Sequence, residues 1–358
     1  MITEVNQKEV QQKAINILKE LISIPSFSRE ERQAADFLED LLKNMGFTVH
    51  RKSNNIWIKN IYDEKLPTLL LNSHLDTVKP GDFWTYDPFV PVERNGKLFG
   101  LGSNDAGASV VTLLAVFILL TDQKQCPYNL VYAATAEEEI SGKNGIESIL
   151  VDLGKIDLGI IGEPTGMNMA IAEKGLLVLD CLAHGKQAHA AGTNGINAIY
   201  QAMLDIEWIK NYRFIKKSDL LGEVTMQVTQ IKAGESHNII PDQCSFVIDV
   251  RSNDRYTNKE IFDIISQHLS SDVQYRSLRL NPSTISPSHP VVKKAGKIGI
   301  NCIGSNTLSD QALVSFPTVK IGPGDSARSH TADEYIKVKE ITDGIEILMR
   351  LLNKLELS

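Results

Sequence analysis

The chain has 358 residues, 42% of them hydrophobic and 23% charged, which fits a globular protein of two domains rather than one. A formal net charge of −7 argues against nucleic acid or an anionic membrane as the main partner. Cys126, Cys181, Cys244 and Cys302 are scattered with no CxxC pair, which argues against a disulfide framework and a thiolate zinc cluster and predicts a reducing, cytoplasmic setting.

The N-terminus "MITEVNQKEVQQ" is polar and lacks the apolar stretch of a signal peptide. Helical periodicity follows over about residues 9–45, with Ser28 and Glu31 spaced as a capping box and Gly46 as a stop. Ser28, Glu30 and Glu31 read as the start of a solvated helix. Short apolar runs then alternate with helical stretches, which predicts an α/β sandwich on a largely parallel or mixed sheet. The most apolar run, "AGASVVTLLAVFILL" at 106–120, is shorter than the roughly 20 residues of a membrane span and predicts a buried helix.

Four apolar runs end in polar residues able to bind a metal. "TLLLNSHLD" ends in His74 and Asp76, "NLVYAATAEEE" in Glu137, Glu138 and Glu139, and "LGIIGEPT" in Glu163; "TVKIGPGDSARSH" leads through a glycine-rich turn to His330. In open α/β sheets ligands bind beyond the carboxyl ends of the strands, so the four runs predict one shared pocket. Between Glu163 and His330 the pattern changes to strand, helix, two strands and helix, an α+β unit that reads as inserted. The expected division is therefore 1–174, 175–285 and 286–358, the first and last parts forming one domain. There is no internal repeat and no low-complexity segment.

Taken singly, each candidate has a plainer reading. Asp105 in "GLGSNDAGAS" reads as a helix N-cap, Glu163 as a turn residue and His330 as an exposed loop histidine. His50, His184, His268 and His289 have no ligand spacing, and His237 is set apart only by adjoining Asn238. Taken together, histidines and carboxylates without cysteine suit zinc, cobalt or manganese, and a donor set of this size suits two metals about 3.5–4 Å apart. On a strand His74 and Asp76 point to one side, so Asp76 is placed to orient the imidazole.

The segments "SHLDTVKPG", "GLGSNDAGAS", "ATAEEEISG", "GEPT", "HAAGTNGINAI", "HNIIP", "DVRS" and "IGPGDSARSHTADEYI" occur in the order found in the M20 zinc amidohydrolases. Over nearly its whole length the chain resembles that family, in particular its acetylornithine deacetylases and succinyl-diaminopimelate desuccinylases. The resemblance implies a mixed-sheet α/β sandwich catalytic domain with an inserted α+β lid/dimerisation domain. It implies two zinc ions per subunit, replaceable by cobalt or manganese, with His74 and Glu163 on one, Glu139 and His330 on the other, and Asp105 bridging. Asp76 would support His74, Glu138 would be the general base, and Glu137 would line the acidic approach to the motif. His189 would reach the site from the lid, and Asn238 and Arg251 would contact substrate.

The chain departs from the family pattern in places. No proline follows His189, the spacing to Gly195 is one residue short, and "LSDQALV" puts Ala312 where the desuccinylases carry an arginine for the succinyl carboxylate. The tail leans toward the acetylornithine deacetylases, with Arg328 a further candidate for holding an acyl group. The implied activity is removal of an acetyl or succinyl group from an amino acid such as ornithine or citrulline, in arginine biosynthesis, by a cytoplasmic homodimer. Alternatives are a metallo-dipeptidase or aminopeptidase, an N-acetyl-lysine-type deacylase, and a non-catalytic metal- or peptide-binding protein.

Overall fold

The computed structural model describes residues 6–123 and 126–357; Met1–Val5 of the polar N-terminus lie outside them. The chain divides into two compact units, one of Met1–Ile171, Ile285–Ile303 and Ser309–Ser358, the other of Ala172–Thr284 and Gly304–Leu308.

The first periodic segment is two helices, α1 (Gln7–Ile22) and α2 (Arg32–Asn44). Pro25 and a left-handed Arg29 (φ 75°) separate them. The expected capping box does not form: Glu31 is the N-cap, makes no side-chain bond to the helix and is fully buried, and Ser28 Oγ donates to Asp76 instead. Gly46 (φ 90°) does close α2, its N–H reaching Lys43 O at 2.9 Å.

The sheet begins with β1 (Val49–Lys52), β2 (Asn55–Asn60) and β3 (Thr68–His74). The short strands β4 (Val92–Arg94) and β5 (Lys97–Phe99) follow, then α3 (Ala108–Thr121), β6 (Asn129–Thr135), α4 (Ile146–Leu153), β7 (Leu158–Ile161) and β8 (Met169–Glu173). The run expected to be a buried helix is α3. It is apolar all round because it packs against α1, β3 and the C-terminal helix at once, with Phe117 and Leu120 wholly enclosed. The stretch Ser103–Thr121 is apolar and long enough to cross a membrane, yet 78% of it is buried inside the molecule.

In the second unit β9 (Gly175–His184), β10 (Ala188–His189), α5 (Ala198–Asn211), β11 (Thr225–Ala233), β12 (Ile239–Ile240), β13 (Gln243–Ser252), α6 (Asn258–His268) and β14 (Asp272–Tyr275) follow in turn. The antiparallel sheet runs β11-β13-β9-β14. Leu177, Leu179, Phe246 and Ile248 bury one face under α5 and α6. The fourth strand, β14, is short and mostly exposed, so it carries no alternating apolar signal. Gly304 joins this unit by close packing: a Cβ there would lie 2.2 Å from Leu220 O.

The chain then forms β15 (Ser283–Thr284), α7 (Pro290–Lys297), β16 (Cys302–Ser305), β17 (Thr318–Lys320), β18 (Tyr335–Lys337) and α8 (Val338–Leu352). The main sheet of the first unit runs β1-β2-β6-β3-β7-β17-β8. Its centre, β6-β3-β7-β17, is parallel, so the carboxyl ends of four strands open on one edge. These strands are buried on both faces and read as continuous apolar runs for that reason.

Candidate active site

His74 ends β3, and its ladder partner is Thr135 at the end of β6. Its Nδ1 lies 2.9 Å from the backbone O of Asp76. A carbonyl can only accept, so Nδ1 carries the hydrogen and Nε2 is left as the donor to a cation. Nε2 is buried with no hydrogen-bond partner. Around it lie Asp105 Oδ1 at 3.4 Å, Glu163 Oε1 at 3.8 Å and Glu138 Oε2 at 3.9 Å.

Asp76 therefore holds His74 through its carbonyl. Its carboxylate, buried and 3.5 Å from Nδ1, accepts from Ser28 Oγ at 2.7 Å and from the N–H groups of Glu138 at 2.9 Å and Glu139 at 3.1 Å. It thus orders the glutamate loop as well as the imidazole. Burial alone would raise its pKa, but His74, Ser28 and the Glu138 amide outweigh that and hold it below the usual carboxylate value.

The loop after β6 is pinned at each step. Ala136 N–H donates to Asn55 Oδ1 at 2.9 Å and Glu137 N–H to Glu31 Oε1 at 3.2 Å. Glu137 takes a left-handed backbone, φ 56°, which sends its side chain away from the next two. Contrary to expectation, Glu137 does not line an approach. It is buried and accepts from Asn144 Nδ2 at 2.9 Å and Asn144 N at 3.3 Å. Glycine is required at 142, where a Cβ would lie 1.9 Å from Glu137 Oε2. Glu138 faces His74, and Glu139 faces His330, whose Nε2 is 3.0 Å from Glu139 Oε2.

Asp105 is not a helix N-cap. The segment Ser103–Gly107 is a kinked turn in which Asp105 is extended (φ −121°, ψ 98°), and the α3 N-cap is Gly107 with no side-chain bond. The Asp105 carboxylate lies between two imidazoles, Oδ1 at 3.4 Å from His74 Nε2 and Oδ2 at 3.7 Å from His330 Nε2. Glu163 follows β7 by two residues. His330 stands on a left-handed residue (φ 59°) beyond the short turn Ser326–Arg328. Arg328, a candidate for holding an acyl group, is instead paired in a fork with Glu340 at 2.7 and 2.8 Å.

Five carboxylates, of Asp76, Asp105, Glu138, Glu139 and Glu163, thus face two imidazoles. Burial alone would lower His74, but Asp105, Asp76, Glu138 and Glu163 raise it well above its ordinary value. The bond to Glu139 brings His330 up to about 9. Burial and neighbouring acids push Glu163 up to about 8 and raise Glu138 well above its ordinary value. So many acids at close range favour a positive ion among them. His74, Glu138 and Glu163, and His74, Asp105 and Glu139, each offer ligand atoms within 4.8 Å of one another. With the unpartnered Nε2 of His74, this nitrogen and oxygen donor set fits a divalent metal.

Two buried acids unassigned by the sequence belong to this region. Asp310 accepts from Asn72 Nδ2 at 2.9 Å and Thr135 Oγ1 at 3.0 Å, and burial pushes it up to about 6. Glu334 binds the turn that carries Asp105. Both stand in the segments quoted above, "LSDQALV" and "HTADEYI", but an acid amid polar neighbours gives no sign of burial. His189, Asn238 and Arg251 belong to the second unit. His189 is exposed, and its Nδ1 accepts from Ala191 N at 3.1 Å; Ala190 N donates to Asn238 O at 2.9 Å. Arg251 pairs with Asp249 at 2.8 and 3.0 Å.

The chain is 26% identical to a succinyl-diaminopimelate desuccinylase of Anaplasma marginale (strain Florida), over 95% of this chain and 96% of that one. In structure it is similar to a tripeptidase from Staphylococcus aureus (20% identity, 98% of each chain, TM-score 0.76). It is also similar to the YXEP protein of Bacillus subtilis, a dinuclear metal binding peptidase from the M20 family (14% identity, 98% of this chain and 100% of that one, TM-score 0.74). At these identities the structural likeness is one of fold, a mixed α/β fold on a mixed sheet. The model of one family, Peptidase family M20/M25/M40, matches residues 70–354, and the chain belongs to that family.

Proposed function

We propose that this protein is a dinuclear zinc amidohydrolase that removes an acetyl or succinyl group from an amino acid such as ornithine or citrulline. It would act in arginine biosynthesis, in the cytoplasm, as a homodimer. The observation that carries the reading is the buried, unpartnered Nε2 of His74 amid Asp105, Glu138 and Glu163. His74, Asp105 and Glu163 would hold one ion, and Asp105, Glu139 and His330 the other. When bound, the metals would supply Lewis-acid polarisation of an acyl carbonyl and of water. Glu138, beside the donor set, takes the proton from the attacking water and returns it to the leaving amine. Asp76 keeps Glu138 and Glu139 in register through their amides. In the second unit, His189 would stabilise the oxyanion, and Asn238 and Arg251 would contact substrate, Arg251 holding the α-carboxylate.

The desuccinylase relative supports N-acyl hydrolysis. Against a succinyl group stand Ala312 and the engagement of Arg328 by Glu340, which leave neither position with a free guanidinium. A panel of N-acetylornithine, N-acetylcitrulline, their N-succinyl counterparts, N-succinyl-diaminopimelate and a dipeptide, each with added zinc or cobalt, tests the reading. Turnover is expected on the acylated ornithine or citrulline. Turnover of the dipeptide alone would make the protein a peptidase. A metal-loaded protein inert on every compound would favour a binding role.

A further inference from the structure

The backbone from Gly102 to Gly107 belongs to no regular helix, and α3 begins without a side-chain cap. Buried N–H groups in such a turn need acceptors. Ser103 N and Gly107 N find them locally, on Gly100 O at 3.1 Å and Gly102 O at 2.9 Å; for three others one side chain provides them. Glu334 Oε1 accepts from Asn104 N at 2.8 Å and Asp105 N at 3.0 Å, and Oε2 accepts from Gly102 N at 3.2 Å. Glu334 is 2% exposed, so these bonds are shielded from water, where leaving a backbone N–H unmet would be costly. The main chain joins in, with Gly100 N bonded to Glu334 O at 3.0 Å.

The consequence reaches the Asp105 carboxylate. Its two oxygens lie 3.4 and 3.7 Å from the two imidazoles, so a small shift of the backbone would favour one imidazole over the other. Glu334 also follows His330 by four residues in sequence, on a segment tied down at both ends. Arg328 grips Glu340, and Asp333 accepts from Thr85 N at 2.7 Å.

We propose that Glu334 is a positioning residue: by gripping the amides of Gly102, Asn104 and Asp105 it sets the Asp105 carboxylate midway between His74 and His330, in register with His330 on its own segment. The proposal rests on the metal reading above. It assigns Glu334 no contact with substrate and no proton transfer.

The test is a titration of Co(II) into the metal-stripped full chain, following affinity, stoichiometry and the visible spectrum. Glu334→Ala should weaken binding by about 10- to 100-fold, as loss of a residue that orients a ligand does, and should change the spectrum. Glu334→Gln, which keeps one acceptor oxygen, should fall between Glu334→Ala and wild type. In an Asp105→Ala background, Glu334→Ala should cause no further loss, because the effect runs through Asp105. Wild-type affinity and spectrum in a folded Glu334→Ala protein would overturn the proposal, as would an equal loss in both backgrounds. If Glu334→Ala does not fold, Glu334→Gln and Glu334→Asp carry the same comparison. A wild-type chain that binds no Co(II) would overturn the metal reading itself, whereas unchanged binding by the variants would overturn only the role of Glu334.

Discussion

Three consecutive glutamates share one loop, and their side chains diverge. Glu138 turns to His74, Glu139 to His330, and Glu137 back to Asn144. The separation comes from one left-handed residue and from amides fixed on Glu31 and Asp76. Each position then has its own expected phenotype. Glu138→Gln should retain metal by elemental analysis and lose about 10²–10⁴-fold in kcat, the usual weight of a general base; near wild-type turnover would remove that role. Glu139→Ala should lose one equivalent of metal, and unchanged stoichiometry would reject it as a ligand. Glu137→Ala should keep its metal but unfold more easily in urea, by about 1–3 kcal/mol, because it strips acceptors from the Asn144 amides. Metal loss without destabilisation would show that Glu137 acts at the site after all.

At the scale of elements, the parallel strands β6-β3-β7-β17 aim their carboxyl ends at one edge. His74, the glutamate loop and Glu163 follow directly from three of them. His330 arrives differently, on a loop held by the fork of Arg328 on Glu340 at the start of α8. Burial would raise Glu340, but Arg328 outweighs it and holds the carboxyl below its ordinary value of 4.5. A depressed carboxyl contributes stability above its unfolded pKa and loses it as pH falls through the folded one. Arg328→Met should therefore lower the Tm at pH 7, and its deficit against wild type should shrink as pH drops below about 4. A deficit independent of pH would mean that Arg328 acts through packing, including its stacking 4.8 Å over Tyr335, and not through the ion pair.

For the whole molecule, the donors come from five stretches of chain separated in sequence, around 74, 105, 138–139, 163 and 330. Ions held between such stretches would favour the folded chain over the unfolded one. Stripping the metal with a chelator should lower the Tm, and zinc or cobalt should restore it; at a free ion concentration of 100 times Kd the linkage is about 2.7 kcal/mol per site. A Tm indifferent to both treatments would count against the metal centre. The arrangement into strands, buried helix α3 and a second α+β unit was legible in the apolar runs and their periods. The start of α2 near Ser28–Glu31 was legible, but the fate of its cap was not, because Ser28 and Glu31 are drawn off to Asp76 and the Glu137 amide. Strand β14 escaped notice because an exposed edge strand need not alternate.

The sequence by itself determined which residues were candidates for the chemistry. His74, Asp105, Glu138, Glu139, Glu163 and His330 each stand at the end of an apolar run or beside a glycine-marked turn, and such positions are set by local pattern. Only the tertiary structure decided what each one does for the others. That Asp76 works through both its carbonyl and its carboxylate, that Glu137 points inward, that Arg328 is already paired, and that Glu334 carries the turn of Asp105 all depend on contacts between segments far apart in the chain. A carboxylate reads the same in sequence whether it meets a metal ligand, an arginine or three backbone amides. Folding determines which of these partners lies within about 3 Å, the range over which hydrogen bonds act.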